Sequence, residues 1–321
     1  MLLHFRLQFQ ALYFNQPCLL AKQPGGLVTN TMGGREDSLA WQLGLAGLAG
    51  FVAQGTVHGI ETTMVRQQLA SKPLHMVATA RAIVGAEGVA SLYRGFAAAG
   101  LRELSYTSLR FGLYEPLKKA LGAEDPRTAP FHKKVLAGLG AGAFASAVAS
   151  PTDLLKIRAM AVTGPAESLA AQARAVAGGP ARPWPLNFYR GVSATVLRAC
   201  CLGATKMACY DQVKEELRRR CGLRDDVPSE RYALQGAAAV AAGLAITVAT
   251  SPATNARVLW MASEPGTFRH LGHALGHIVA TRGPGGLFRG FSAQWARFGP
   301  YALVHYFAWE QMRLLAGMRP L

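Results

Sequence analysis

The chain reads as an all-α membrane protein: six long transmembrane helices in three related pairs around a pseudo-threefold axis, with short surface helices between the members of each pair. Three observations predict this. Half of the 321 residues are apolar and only 16% are charged, against roughly 25% charged in an average soluble protein. Long uncharged runs rich in glycine and alanine recur along the chain. Two different short signatures also recur three times each, in phase with those runs.

The first signature is clearest at Ser150-Pro151-Thr152-Asp153-Leu154-Leu155-Lys156-Ile157-Arg158, where a proline, an acid and two bases close an apolar run. Proline removes a backbone hydrogen bond and bends a helix, and Asp153 and Lys156, three apart, project from one face just past the bend. The pattern returns at Ser251-Pro252-Ala253-Thr254-Asn255-Ala256-Arg257 and more loosely at Gly59-Ile60-Glu61-Thr62-Thr63-Met64-Val65-Arg66. Copies about a hundred residues apart are an internal repeat. The second signature is Tyr93-Arg94-Gly95, Tyr189-Arg190-Gly191 and Phe288-Arg289-Gly290. Nineteen residues after each glycine comes an aromatic followed by an acid, with a base four positions after the aromatic: Tyr114-Glu115 with Lys118, Tyr210-Asp211 with Lys214, Trp309-Glu310 with Arg313.

Element by element, the first helix is expected over Ser38 to about Met64, uncharged as far as Glu61 and carrying Gly44, Gly47, Gly50 and Gly55, which let backbones approach closely in lipid. Its run exceeds the ~20 residues needed to cross the hydrocarbon. Gly59 replaces the proline, so a kink there comes from glycine or is absent. A surface helix follows over 72–86. The second helix is expected over Ala97 to Leu121 and the third over Lys133 to Met160. Between Gly164 and Pro185 a short helix and a loose loop are expected. The fourth runs from Val192 to Arg219, the fifth from Tyr232 to Trp260, and the sixth from Ser292 to Ala316, bent by Pro300. The organisation is therefore an extension at 1–37, then repeats at 38–125, 126–225 and 226–321. The extension partly fits a targeting segment, and fits equally a disordered tail or an upstream start with translation beginning at Met32.

The net charge of +16 admits nucleic acid, an anionic lipid surface or small anions as partners. The bases are spread over loops and helix interiors rather than gathered on one face, which argues against nucleic acid. Cys18, Cys200, Cys201, Cys209 and Cys221 form no C-x-x-C pair and no even framework, so they read as reduced packing residues.

The sharpest signal is a set of arginines. Arg102, Arg198 and Arg297 each lie seven residues after a repeat glycine, so they share one depth about 10 Å along their helices. A charge at membrane depth is costly and usually faces a water-filled cavity. A single one is compatible with snorkelling or a carbonyl partner, and threefold recurrence weighs sharply against that reading. Fifteen residues after the same glycines come Arg110, Lys206 and His305, a second basic tier. With Glu103 as the acid on these tiers, the set reads as an anion site, and the planar guanidinium suits carboxylate or phosphate.

The two signatures resemble those of the mitochondrial carrier family: P-x-D/E-x-x-K/R on odd helices, an aromatic-base-Gly step, and F/Y-D/E-x-x-K/R on even helices, over residues 38 to 316. The resemblance implies an inner-membrane, multi-pass transporter acting by alternating access, with the short helices on the matrix side. It implies that the seventh and eighth positions after the glycine contact substrate: Arg102-Glu103, Arg198-Ala199 and Arg297-Phe298. It also implies a matrix gate in which Glu61 meets Lys156 and Asp153 meets Arg257, while the third pair, Thr254 with Met64, is absent on both sides. Glu115, Lys118, Asp211, Lys214, Glu310 and Arg313 are the implied cytoplasmic gate, although charge at helix ends alone explains any single acid and base. Arg plus a small or polar residue on the fourth helix, with Trp295-Ala296-Arg297-Phe298-Gly299-Pro300 and Glu310-Gln311-Met312, is similar to the oxoglutarate, dicarboxylate and uncoupling-protein branch.

The expected function is exchange of small anionic metabolites: di- or tricarboxylates or keto acids. The rivals are an uncoupling-type proton or anion leak, favoured by the incomplete matrix gate, and a non-transporting relative serving as receptor or scaffold. No catalytic constellation, cofactor motif or phosphate loop is present in the sequence, and no enzyme activity is expected. His270, His273 and His277 have spacing open to zinc, but no cysteine or acid completes a site, so no metal is expected. The expected partners are the anion and the bilayer, including an anionic lipid such as cardiolipin, with the protein a monomer.

Overall fold

In the computed structural model, residues 39–71, 74–123, 130–164, 167–178, 186–221 and 228–315 are described. Among them are ten α-helices, three short 3-10 turns and no strand. The long helices are α1 (Leu39–Leu69), α3 (Phe96–Ala120), α4 (Phe131–Val148) with its continuation α5 (Ser150–Ala161), α7 (Val192–Cys221), α8 (Pro228–Ala262) and α10 (Phe291–Leu315). The short ones are α2 (Met76–Glu87), α6 (Leu169–Ala177) and α9 (Leu271–Arg282), each followed by a 3-10 turn. The extension at 1–37 lies outside the described residues.

The third long element is two helices, not one. It breaks at Ala149 with a bend of 61°, because Pro151 has no N–H to give to the preceding turn and its ring crowds the carbonyl one turn before it. Pro252 and Pro300 instead sit inside unbroken helices, and α1 runs through Gly59 without interruption.

The long helices pack in a ring, α1 on α3, α3 on α4, α4 on α7, α7 on α8, α8 on α10 and α10 back on α1. Small residues set the spacing: a Cβ on Gly100 would stand 2.2 Å from the Phe51 ring. At one end α1, α5 and α8 also meet one another. There Met64, Leu154, Ile157, Met160, Val258 and Met261 form a fully buried apolar cluster.

Three arginine staples tie each repeat to the next. The last carbonyls of a helix have no partner within it and attract cations. Arg94 donates to Val162 O at 2.8 Å and to Gly164 O, beyond the end of α5. Arg190 donates to Met261 O and Ser263 O at 2.7 and 2.5 Å, at the end of α8. Arg289 donates to Ala70 O and Ser71 O at 2.5 and 3.3 Å, after α1. The glycine beside each arginine has positive φ: 74° at Gly95, 78° at Gly191 and 71° at Gly290. Two demands meet at Gly95, where a Cβ would also stand 2.8 Å from Ala159 Cβ. Among the described residues only the first staple has an acid: Glu87 binds Arg66 at 2.6 Å and Arg94 at 2.5 Å. The hydrogen bonds from Arg66 hold its carboxyl below the ordinary glutamate range.

Large apolar side chains stand in the open on the outer helix faces, among them Leu48, Leu101, Phe144, Leu244, Leu303 and Phe307. Exposed apolar surface on this scale marks contact with lipid or another protein. No single helix among the described residues is long and apolar enough by itself to cross a membrane; the bent pair Val135–Val148 with Ser150–Ala161 is. The reason is chemical: the same helices carry the charged groups of the interior on their other faces.

Candidate functional site

Where α1, α5 and α8 converge, two acids and two bases are buried. Lys156 Nζ lies 2.8 Å from Glu61 Oε2, and Arg257 Nη1 lies 2.7 Å from Asp153 Oδ2. All four residues are at most 4% exposed. The first pair joins α5 to α1 and the second joins α8 to α5, so both cross between repeats. The third seat, between α8 and α1, has no charge: Met64 belongs to the apolar cluster, and Thr254 donates its hydroxyl to Thr250 O in its own helix at 2.8 Å.

The arginine tier meets this layer. Arg102 Nε sits 2.8 Å from Asp153 Oδ1, an ion-pair contact whose angle is too poor for a hydrogen bond. Arg102 also donates to Glu103 Oε1 at 2.6 Å, and Arg297 Nη1 reaches Glu61 Oε1 at 3.3 Å. The expectation that Glu103 is the acid of the arginine tiers is thus corrected, because Glu61 and Asp153 reach the same guanidinium groups from the odd helices. Spacing along one helix cannot reveal a carboxylate arriving from another. Arg198 is half-buried and makes no ion pair with a described residue; its nearest charged neighbours include Arg257, Arg102, Arg297 and Asp153. The Nε atoms of Arg198, Arg257 and Arg297 are buried without a hydrogen-bond partner among the described residues.

Above this layer, Tyr301 donates to Glu103 Oε2 at 3.1 Å and stacks on His305, ring centroids 5.7 Å apart. Arg102 and Arg110 both lie over the Tyr106 ring, at 4.9 and 5.8 Å. Arg297 lies over the ring of Phe298 at 5.8 Å. Ala199 lies beside Arg198 on α7, half-buried. At the far end of α3, Lys118 bonds Glu115 of its own helix at 3.1 Å. Glu310 is on α10, half-exposed. The side chains of Lys206, Asp211, Lys214 and Arg313 lie outside the described ones.

Sequence reasoning missed Gln54 and His58. Gln54 donates to Glu61 Oε2 at 2.6 Å, and its amide nitrogen is 3.2 Å from His58 Nδ1. The other ring nitrogen of His58 is 2.9 Å from Arg94 O. The signal was available: aligning the repeats on Glu61, Asp153 and Thr254 puts His58 where Ser150 and Ser251 stand. The histidines of α9 have other uses. His270 caps its helix by accepting from His273 N at 3.1 Å, and His273 and His277 pack edge-on against Phe268.

The sequence profile described as Mitochondrial carrier protein matches residues 35–125, 127–220 and 229–319, nearly the whole chain in three successive copies. The chain belongs to the mitochondrial carrier family. Among its relatives, a mitochondrial dicarboxylate carrier of Caenorhabditis elegans is 28% identical, covering 87% of this chain and 95% of the relative. Mitochondrial uncoupling protein 3 of Arabidopsis thaliana is 29% identical over 88% and 97%. A probable mitochondrial 2-oxoglutarate/malate carrier protein of Dictyostelium discoideum is 29% identical over 85% and 89%. This carrier is accordingly a multi-pass protein of the mitochondrial inner membrane and a member of a family of transporters rather than enzymes. An inner-membrane setting accounts for its exposed apolar faces.

Proposed function

We propose that this carrier exchanges small dicarboxylates or keto acids across the inner membrane by alternating access, with six spans lining one central site. The observation that carries the reading is the charge of the central cluster. Among the described residues, Arg102, Arg198, Arg257, Arg297 and Lys156 face only Glu61, Asp153 and Glu103, an excess of two positive charges with buried guanidinium donors unfilled. A dianion supplies the missing charge and acceptors, and fork-shaped guanidinium groups select carboxylates. The names of the dicarboxylate and oxoglutarate/malate relatives support the same class. In this reading the Glu61 and Asp153 pairs are the matrix gate, closed here. Glu115 and Lys118, bound to each other on one helix, belong to a cytoplasmic gate together with Asp211, Lys214, Glu310 and Arg313. Substrate carboxylates compete with Asp153 and Glu61 for Arg102 and Arg297, so binding loosens the layer beneath.

Uptake of labelled malate, oxoglutarate, citrate and phosphate into preloaded proteoliposomes tests this. Malate or oxoglutarate uptake should depend on internal dicarboxylate and fall about tenfold or more in Arg198→Ala, the loss expected for one charge-assisted contact. Uptake no faster than in protein-free vesicles would refute it. The uncoupling-type leak is a second reading, favoured by the uncharged Met64 and Thr254 seat. It predicts a proton or anion current without exchange. A carrier serving only as receptor or scaffold would show neither.

A further inference from the structure

Repeat 1 departs from its two siblings at one buried slot. Ser150 and Ser251 are fully buried, and at the corresponding place α1 carries His58, equally buried. One turn earlier, where the siblings have Ser146 and Thr247, α1 carries Gln54. Small hydroxyl groups do not titrate, whereas an imidazole does.

The hydrogen bonds define the state of this histidine. Its Nε2 faces a carbonyl, Arg94 O, and must donate to it. Its Nδ1 faces the Gln54 amide nitrogen, which is bound to the Glu61 carboxylate and must be the donor. The network therefore assigns the neutral, Nε2–H tautomer. A second proton, on Nδ1, would set donor against donor. The charged groups in reach are Glu61 on its own helix, Lys156 from α5, and Arg297 from α10 by way of Glu61. From the turn before α3, Tyr93 stacks at 6.1 Å, and Phe96, the first residue of α3, meets it edge-on at 5.4 Å. The Arg94 guanidinium is turned away to Glu87.

We propose that His58 is a proton-binding site of this carrier, loading a proton when the Glu61–Lys156 contact opens and releasing it when the contact re-forms. While the contact is closed, Lys156 satisfies Glu61 and Gln54 blocks Nδ1. Once α5 carries Lys156 away, the Glu61 carboxylate three residues from His58 loses its shorter ion pair and keeps the longer one to Arg297. A half-turn of the Gln54 amide then presents its oxygen to Nδ1–H, at the cost of its own bond to Glu61. The proton comes from water of the compartment to which the layer opens, and returns on closure. The open state binds one proton more than the closed state, so by reciprocity acid favours opening. Anion transport is thereby linked to protons at a residue that repeats 2 and 3 lack. The inference rests on the transporter reading only for that last consequence.

Two measurements test it in the full chain. Amide exchange of residues 54–69 in detergent, corrected for its intrinsic pH dependence, reports gate opening without any substrate. Protection should fall about threefold or more between about pH 8 and about pH 6 in the wild type. It should not change in His58→Ser or in His58→Asn, which keeps an acceptor near Nδ1. A purely structural histidine would change protection in the variants by the same factor at both pH values. Equal pH ratios in all three proteins would overturn the inference. Dicarboxylate uptake over the same range separates the two readings. Uptake absent at every pH, alongside a pH-dependent opening, refutes the substrate reading alone. Uptake with the same pH profile in wild type and both variants refutes the proton site.

Discussion

Two of the three seats between odd helices are charged and the third is apolar, and the contrast shows how a threefold scaffold is made asymmetric. Between α1 and α5, and between α5 and α8, buried ion pairs cross from repeat to repeat. Between α8 and α1 the acid and the base are both gone; Met64 packs with Leu154, Ile157 and Met261, while Thr254 bonds its own helix. Losing one partner alone would strand a buried charge at a cost of about 3–5 kcal/mol, whereas losing both leaves an ordinary packed contact. Arg297, with no Asp or Glu in the third seat to attract it, reaches Glu61 instead. The asymmetry therefore reaches the central arginines as well as the ion pairs between odd helices.

The comparison breaks most readily at Asp153, which holds Arg257 and Arg102 together. Asp153→Asn should abolish exchange in proteoliposomes and destabilise the folded protein by about 3–5 kcal/mol in thermal unfolding, because two guanidinium groups lose their shared carboxylate. Near-normal transport would mean that these charges do not form a gate. A smaller effect is expected from filling the third seat. Met64→Lys alone should lower stability by several kcal/mol, on the order of the cost of an unpaired buried charge. Combining it with Thr254→Asp should recover much of that loss and slow turnover about threefold, since one more ion pair must break in each cycle. Turnover unchanged in the double variant would remove the idea that the missing pair makes this gate the weaker one.

The smallest effect concerns the staples, where among the described residues repeat 1 alone has an acid. Glu87→Gln should lower the melting temperature by about 2 °C at neutral pH, the scale of a well-formed but partly solvated ion pair. The sign follows from the carboxyl being held below its ordinary range by Arg66. Its contribution is complete above the unfolded glutamate value of about 4.3 and disappears as pH falls below it through the depressed folded value. Wild type and variant should therefore melt together in strong acid, and a difference persisting there would exclude the ion pair as its cause.

The sequence by itself determined the three repeats, their helix pairs and the residues offered at each seat between odd helices. Motifs such as Asp153 with Lys156, or a glycine followed seven residues later by an arginine, are local patterns that a helix converts directly into faces and depths. The uncharged third seat was legible for the same reason, as Thr254 and Met64 stand where an acid and a base were due. Local pattern did not decide which proline breaks its helix: Pro151 follows a 61° bend while Pro252 sits in a continuous one. Only the tertiary structure decided that Arg102 and Arg297 are held by Asp153 and Glu61, that Tyr301 holds Glu103, and that Gln54 and His58 stand behind Glu61. Those contacts join different helices or depend on how one helix face is covered. Their geometry comes from the convergence of α1, α5 and α8, and no periodicity within a single helix encodes that.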